Sequence, residues 1–207
     1  VLVAVTGLSG CAGVGSGTSE VEKEHMATTP DSDLRRRARI RLELAANYLQ
    51  SGQTSVALDE TRQAITTDPT FADAYHLRGL IYMQMGDLNL AEENLNRAQS
   101  MRPNDPDVMH NLGWLLCQKQ QYEQADQMFD KALAVPTYMD RNKTQMSKGV
   151  CLVRWGKPDL ADPILTRAFE LDAGNPILGY ELAQLKFNKG DYKRTQFYIR
   201  RVNNGNF

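Results

Sequence analysis

A chain of 207 residues is long enough for one elongated domain or two small ones, and 42% hydrophobic residues is ordinary for a folded protein. With 24 Lys and Arg against 25 Asp and Glu, the formal net charge is −1, so no overall basic field exists to hold a nucleic acid. The one basic run is Arg35-Arg36-Arg37-Ala38-Arg39-Ile40-Arg41. It reads as the solvated face of a first helix, with a lipid-headgroup or acidic-partner contact as the other use.

Residues 1–10 are apolar and then small, and they run into Cys11. This has the character of the end of a signal h-region, too short to span a bilayer. It has neither Met nor a charged n-region, so the start is expected to be a truncation. Leu8-Ser9-Gly10-Cys11 resembles a bacterial lipobox. Small residues let a peptidase reach the bond before Cys11, and the thiol accepts a diacylglyceryl group. The resemblance makes residues 1–11 a signal remnant and Cys11 the lipidation site, with that covalent lipid as the sole cofactor. Several acyl chains on one residue would anchor it stably. In the sorting scheme of such lipoproteins an Asp after the Cys retains the protein at the inner membrane. Ala12 stands there, which implies the periplasmic face of the outer membrane. Residues 12–33 are rich in Gly, Ser, Thr, Glu and Asp and are expected to form a flexible tether.

From Leu34 onward the chain repeats itself. Gly52, Gly86, Gln120, Gly156 and Gly190 are separated by 34, 34, 36 and 34 residues. Seven residues before each marker stands a small residue: Ala45, Gly79, Gly113, Gly149, Ala183. Four before it stands Tyr48, Tyr82, Leu116, Leu152 and, as the exception, Lys186. Five and twelve after it Ala recurs in the first four repeats, and Thr195 and Val202 replace it in the fifth. This pattern resembles the tetratricopeptide (TPR) repeat. It implies an all-α fold over 34–207, a right-handed superhelical solenoid of about five helix-turn-helix units near 38–71, 72–105, 106–141, 142–175 and 176–207. Capping signals such as Asp105-Pro106 and Asn175-Pro176 agree. Helices are expected near 34–50, 54–67, 71–85, 88–101, 106–119, 122–135, 141–155, 158–171, 176–189 and 192–203. Pro163 should kink the eighth or delay its start. The chain stops without a polar capping helix, so a C-terminal truncation is expected.

In such a solenoid the first helix of each pair lines the concave face. Its inward positions carry Leu42, Ala46 and Leu49; Asp73, His76, Leu80 and Met83; Asp107, His110 and Trp114; Met146, Val150 and Arg154; and Tyr180, Gln184 and Asn188. Leu42, Leu49, His76, Leu80, Met83, His110, Trp114 and Tyr180 are the candidate binding residues for a peptide with hydrophobic anchors, unless they pack between repeats. His76 and His110 lack the further ligands a metal needs, so no metal is expected. Cys117 and Cys151 end neighbouring first helices. They are either a disulfide between the third and fourth repeats or two buried thiols. No Ser-centred elbow, His-Glu-x-x-His or phosphate-cradling loop is present, so the expected work is protein binding by a monomer, with no enzyme activity and no small-molecule substrate.

The segment Asp107-Val108-Met109-His110-Asn111-Leu112-Gly113-Trp114-Leu115-Leu116-Cys117 and the segment Lys148-Gly149-Val150-Cys151 resemble two Cys-containing blocks of the type IV pilus biogenesis and stability (PilF/PilW) family. The run from Ala45 to Gly52, and that from Gly190 to Arg201, are similar to it as well. The resemblance implies a pilotin that binds a secretin subunit, or another pilus-assembly protein, at the outer membrane. The alternative is a TPR lipoprotein that scaffolds peptidoglycan synthases or hydrolases.

Overall fold

A computed structural model describes residues 30–204. The signal remnant, Cys11, most of the tether and the last three residues lie outside the described residues. The chain forms α1 (Pro30–Gln50), α2 (Thr54–Thr67), α3 (Ala72–Met85), α4 (Leu88–Met101), α5 (Pro106–Gln118), α6 (Tyr122–Ala134), α7 (Arg141–Arg154), α8 (Pro158–Leu171), α9 (Pro176–Asn188) and α10 (Tyr192–Asn204), with no strand among the described residues. Each odd helix packs antiparallel on the even helix after it, and each pair stacks on the next: a TPR solenoid.

The repeat markers are the turns. Gly52, Gly86, Gly156 and Gly190 adopt φ of 75°, 80°, 75° and 75°, and Gln120 follows at 61°. That left-handed conformation lets the chain reverse in two or three residues, and it favours a residue without Cβ. In the second, third and fourth repeats the glycine seven positions before the marker faces a large residue nine after it. A Cβ on Gly113 would stand 2.8 Å from the Phe129 ring, and one on Gly79 would stand 2.8 Å from Leu95. The fifth repeat differs at another pair of positions: Gly179 receives Val202, where the other four repeats carry a larger residue (Arg41, Tyr75, Met109, Gln145) at the first position and Ala at the second.

The structure corrects two expectations. First, α1 starts at Pro30, four residues inside the expected tether. Pro is pre-organised for a helix start, and Asp33 in the first turn accepts hydrogen bonds from Arg36 at 2.5 Å and Arg37 at 2.7 Å. Second, Pro163 neither delays nor interrupts α8, which begins at Pro158. Pro163 is exposed, and so is Asp159, whose carbonyl loses the N–H, so water can serve it. The 35–41 run is a solvated face, as expected, with Arg36, Arg37, Arg39 and Arg41 exposed, and most of its cations are paired. Arg35 pairs with Asp68 and lies 4.8 Å over the Phe71 ring, and Arg41 pairs with Glu60 at 3.0 Å. With Arg36 and Arg37 held by Asp33, the run clamps α1 to itself and to the next two helices.

The two-residue insertion near Pro136 is a plug. Tyr138 turns inward, 6% exposed, against Met109 and Ala132. Arg141 donates to the Leu133 carbonyl at 2.5 Å, capping the end of α6.

Candidate protein-binding groove

Consecutive odd helices touch one another, whereas consecutive even helices make no contact. A layer that touches is shorter than a layer that does not, so the stack curves with α1, α3, α5, α7 and α9 on its inner side. That inner side carries Leu42 and Leu49 of α1, His76, Leu80 and Met83 of α3, Trp114 of α5, Arg154 of α7, and Tyr180, Gln184 and Phe187 of α9.

Burial changes along this surface. Leu42 is half-buried against Ala38 and Phe71, and Met83 against Leu95 and Leu112. Leu49 and Leu80 are half-buried too. Trp114 is partly buried between the Leu116–Cys151 and Val150–Leu165 clusters, with the Arg154 guanidinium 4.9 Å over its ring. Tyr180 is 62% exposed and Phe187, which sequence reasoning left out, is 58% exposed. The inner face thus passes from packed aliphatics at α1 to open aromatics at α9.

His110 is not a groove residue. It is 4% exposed, and its Nδ1 lies 2.8 Å from Thr144 Oγ1. The same hydroxyl is 2.8 Å from the Tyr138 phenol, so one buried Thr bridges two rings. Burial, aided by the nearby Lys143 cation, pushes the His110 pKa down to about 4. The period alone assigned it to the surface; the plug residue Tyr138 and α7 close over it. His76 is half-buried, and the Asn111 amide donates to its Nε2 at 2.7 Å. Burial lowers its pKa as well, and both rings are neutral at pH 7. Among the described residues, no cluster of three His, Cys, Asp or Glu could hold a metal.

Charges on the inner face sit at its two ends. Asp73 and Asp105 flank Arg102. Asp107 is raised above the ordinary carboxylate range by burial, with Asp105 and Asp140 adding repulsion. Beyond Trp114, the C-terminal ends of α7 and α9 enclose a cleft of about 550 Å³ lined by Val153, Arg154, Glu181, Gln184 and Asn188 among others. Burial raises Glu181, opposed by Arg154. The cleft offers a cation, a carboxyl and two amides beside apolar walls, a chemistry for holding a polypeptide.

Cys117 and Cys151 are joined as a disulfide with Cα atoms 5.8 Å apart, a normal span. It ties α5 to α7 behind Trp114.

Residues 70–137 match the model of a tetratricopeptide repeat family. The chain is 27% identical over 198 residues to the type IV pilus assembly protein PilF of Pseudomonas aeruginosa, covering 96% of this chain and 75% of that protein. It superposes on the crystal structure of PilW, described as a widely conserved type IV pilus biogenesis factor, with a TM-score of 0.77 and 27% identity over 81% of this chain and 77% of that one. The Pseudomonas aeruginosa PilF structure gives a TM-score of 0.78 at 23% identity, covering 84% and 79%. A chain with this period, this stack and these relatives is a tetratricopeptide-repeat protein homologous to PilF and PilW.

Proposed function

We propose that the chain is a protein-binding scaffold of type IV pilus biogenesis. In this reading it is a lipoprotein held by Cys11 at the periplasmic face of the outer membrane. It acts as a pilotin whose concave face takes a segment of a secretin subunit. The observation that carries the reading is the extent of the likeness to PilF, which covers 96% of the chain and therefore more than the generic repeat. The cleft beside Trp114 supports a binding role, because it joins apolar walls to a few convergent polar groups. Anchoring raises the effective concentration of scaffold at the membrane where a ring would assemble.

The test is capture from detergent-solubilised membranes by the full chain, with mass spectrometry, against a Tyr180→Ala/Arg154→Ala variant. Both side chains are exposed, so the variant keeps its fold. Recovery of a secretin with wild type and its loss with the variant is the expected result. Recovery of cell-wall enzymes without a secretin overturns it.

A further inference from the structure

The outward face of α10 differs from that of every other even helix. Lys193, Phe197, Arg200 and Arg201 stand there, all exposed, with Phe197 at 51%. Together with Gln196 they line a shallow depression of about 430 Å³. The repeat alignment places Asp159, Pro163, Thr166 and Arg167 at the same positions of α8. The faces of α2, α4 and α6 likewise set acids (Asp59, Glu93, Glu123, Asp130) among their cations. Only on α10 does this face carry three cations and no acid. Asp191 pairs with Arg194 at 3.5 Å, and none of the described ion pairs involves Lys193, Arg200 or Arg201. The buried side of the helix is Thr195 and Tyr198, the latter edge-on to Phe169 at 5.1 Å. The cationic side is therefore held outward by packing on the other.

We infer that this face of α10 docks on an anionic lipid surface. Cations flanking an exposed aromatic on one side of an amphipathic helix form the interfacial pattern: the ring enters the headgroup boundary and the cations meet lipid phosphates. The face lies on the outer layer of the stack, where the solenoid curves away. A convex surface meets a plane tangentially and cannot wrap a peptide, which favours a bilayer over an acidic protein segment. The inference stands apart from the partner reading above, since it uses none of the concave residues.

The experiment is co-sedimentation of the full chain with vesicles of phosphatidylcholine alone and of phosphatidylcholine with phosphatidylglycerol. The apolar residues 1–10 act in both mixtures, so the readout is the preference for the anionic one. Three cations at a charged surface correspond to a preference of about 100-fold at low salt, falling as salt screens it. The Lys193→Gln/Arg200→Gln/Arg201→Gln variant should lose that preference, and Phe197→Ala should weaken binding several-fold. The Arg62→Gln/Arg97→Gln/Arg167→Gln variant removes equal charge from other outward faces and should keep the preference. Equal binding of wild type to both vesicles, as an acidic protein partner would produce, overturns the inference. So does an equal loss in the two triple variants.

Discussion

Gln120 is the residue that most directly tests the repeat. It occupies a left-handed turn at φ 61°, where a side chain carries a steric cost that Gly avoids. Gln120→Gly is expected to stabilise the chain by about 0.5–1 kcal/mol, read as a rise in the urea midpoint; no change would mean the turn has relaxed. The position was legible without coordinates because all four of its equivalents are Gly. His110 was not legible. Its row in the repeat is a surface row, and what buries it is Tyr138, which arrives from an insertion that breaks the period. Periodicity reports what the repeats share, so it is silent on the one place where they differ.

At the scale of the helix the informative position is Lys186. Four residues before the other markers stand Tyr48, Tyr82, Leu116 and Leu152, all of them apolar or aromatic. Lys186 is nevertheless 5% exposed, because its ammonium reaches Asp162 on α8 at 2.6 and 2.8 Å. Lys189 shares that carboxylate at 3.0 Å. The exception was visible in the sequence, but its partner is on another helix, and no local rule links the two. Removing one member of a buried pair strands the other. Lys186→Ala should cost about 2–3 kcal/mol, somewhat less than a fully isolated pair because Lys189 remains. The double variant Lys186→Leu/Asp162→Ala should recover most of that loss, since repeats three and four use Leu at this position. Denaturant titration of the two variants checks both statements, and equal instability of single and double variants would mean packing, not charge, holds the contact. Helix boundaries were far more legible than this pair. Eight of the ten expected starts coincide with the observed ones to the residue, and nine do so if the first position of α3, displaced by one, is counted. Turns and caps are set by residues adjacent in sequence.

For the whole molecule, acid should act in two stages. The neutral His110 has a folded pKa of about 4, below its ordinary 6.5, and His76 is lowered too. The unfolded chain takes up those protons first as pH falls below 6.5. Stability is therefore full above that value and declines towards pH 4, by on the order of 3 kcal/mol for His110 alone. A second loss follows below about pH 4. The hydrogen bond from Arg35 holds Asp68 below its ordinary value. Burial acts against Asp162, but hydrogen bonds from Lys186 and Lys189 outweigh it. Depressed carboxylates contribute above their unfolded pKa and stop contributing as they protonate. Asp107 and Glu181, raised by burial, run the other way, with a smaller effect because both are partly open to water. Unfolding free energies across this range should show the two steps, and His110→Gln should flatten the first; an unchanged upper step in that variant would assign it elsewhere.

Between repeats each odd helix meets both helices of the repeat before it, while consecutive even helices stay apart. A row of plates joined at one edge behaves as a leaf spring: it opens easily on the free edge and resists on the joined one. The Cys117–Cys151 bond is a rivet through that joined edge at the third plate, with α1–α4 on one side and α8–α10 on the other. Bending is thereby driven away from the centre and into the two arms, so the jaw closes from its tips while Trp114, beside the rivet, keeps its place.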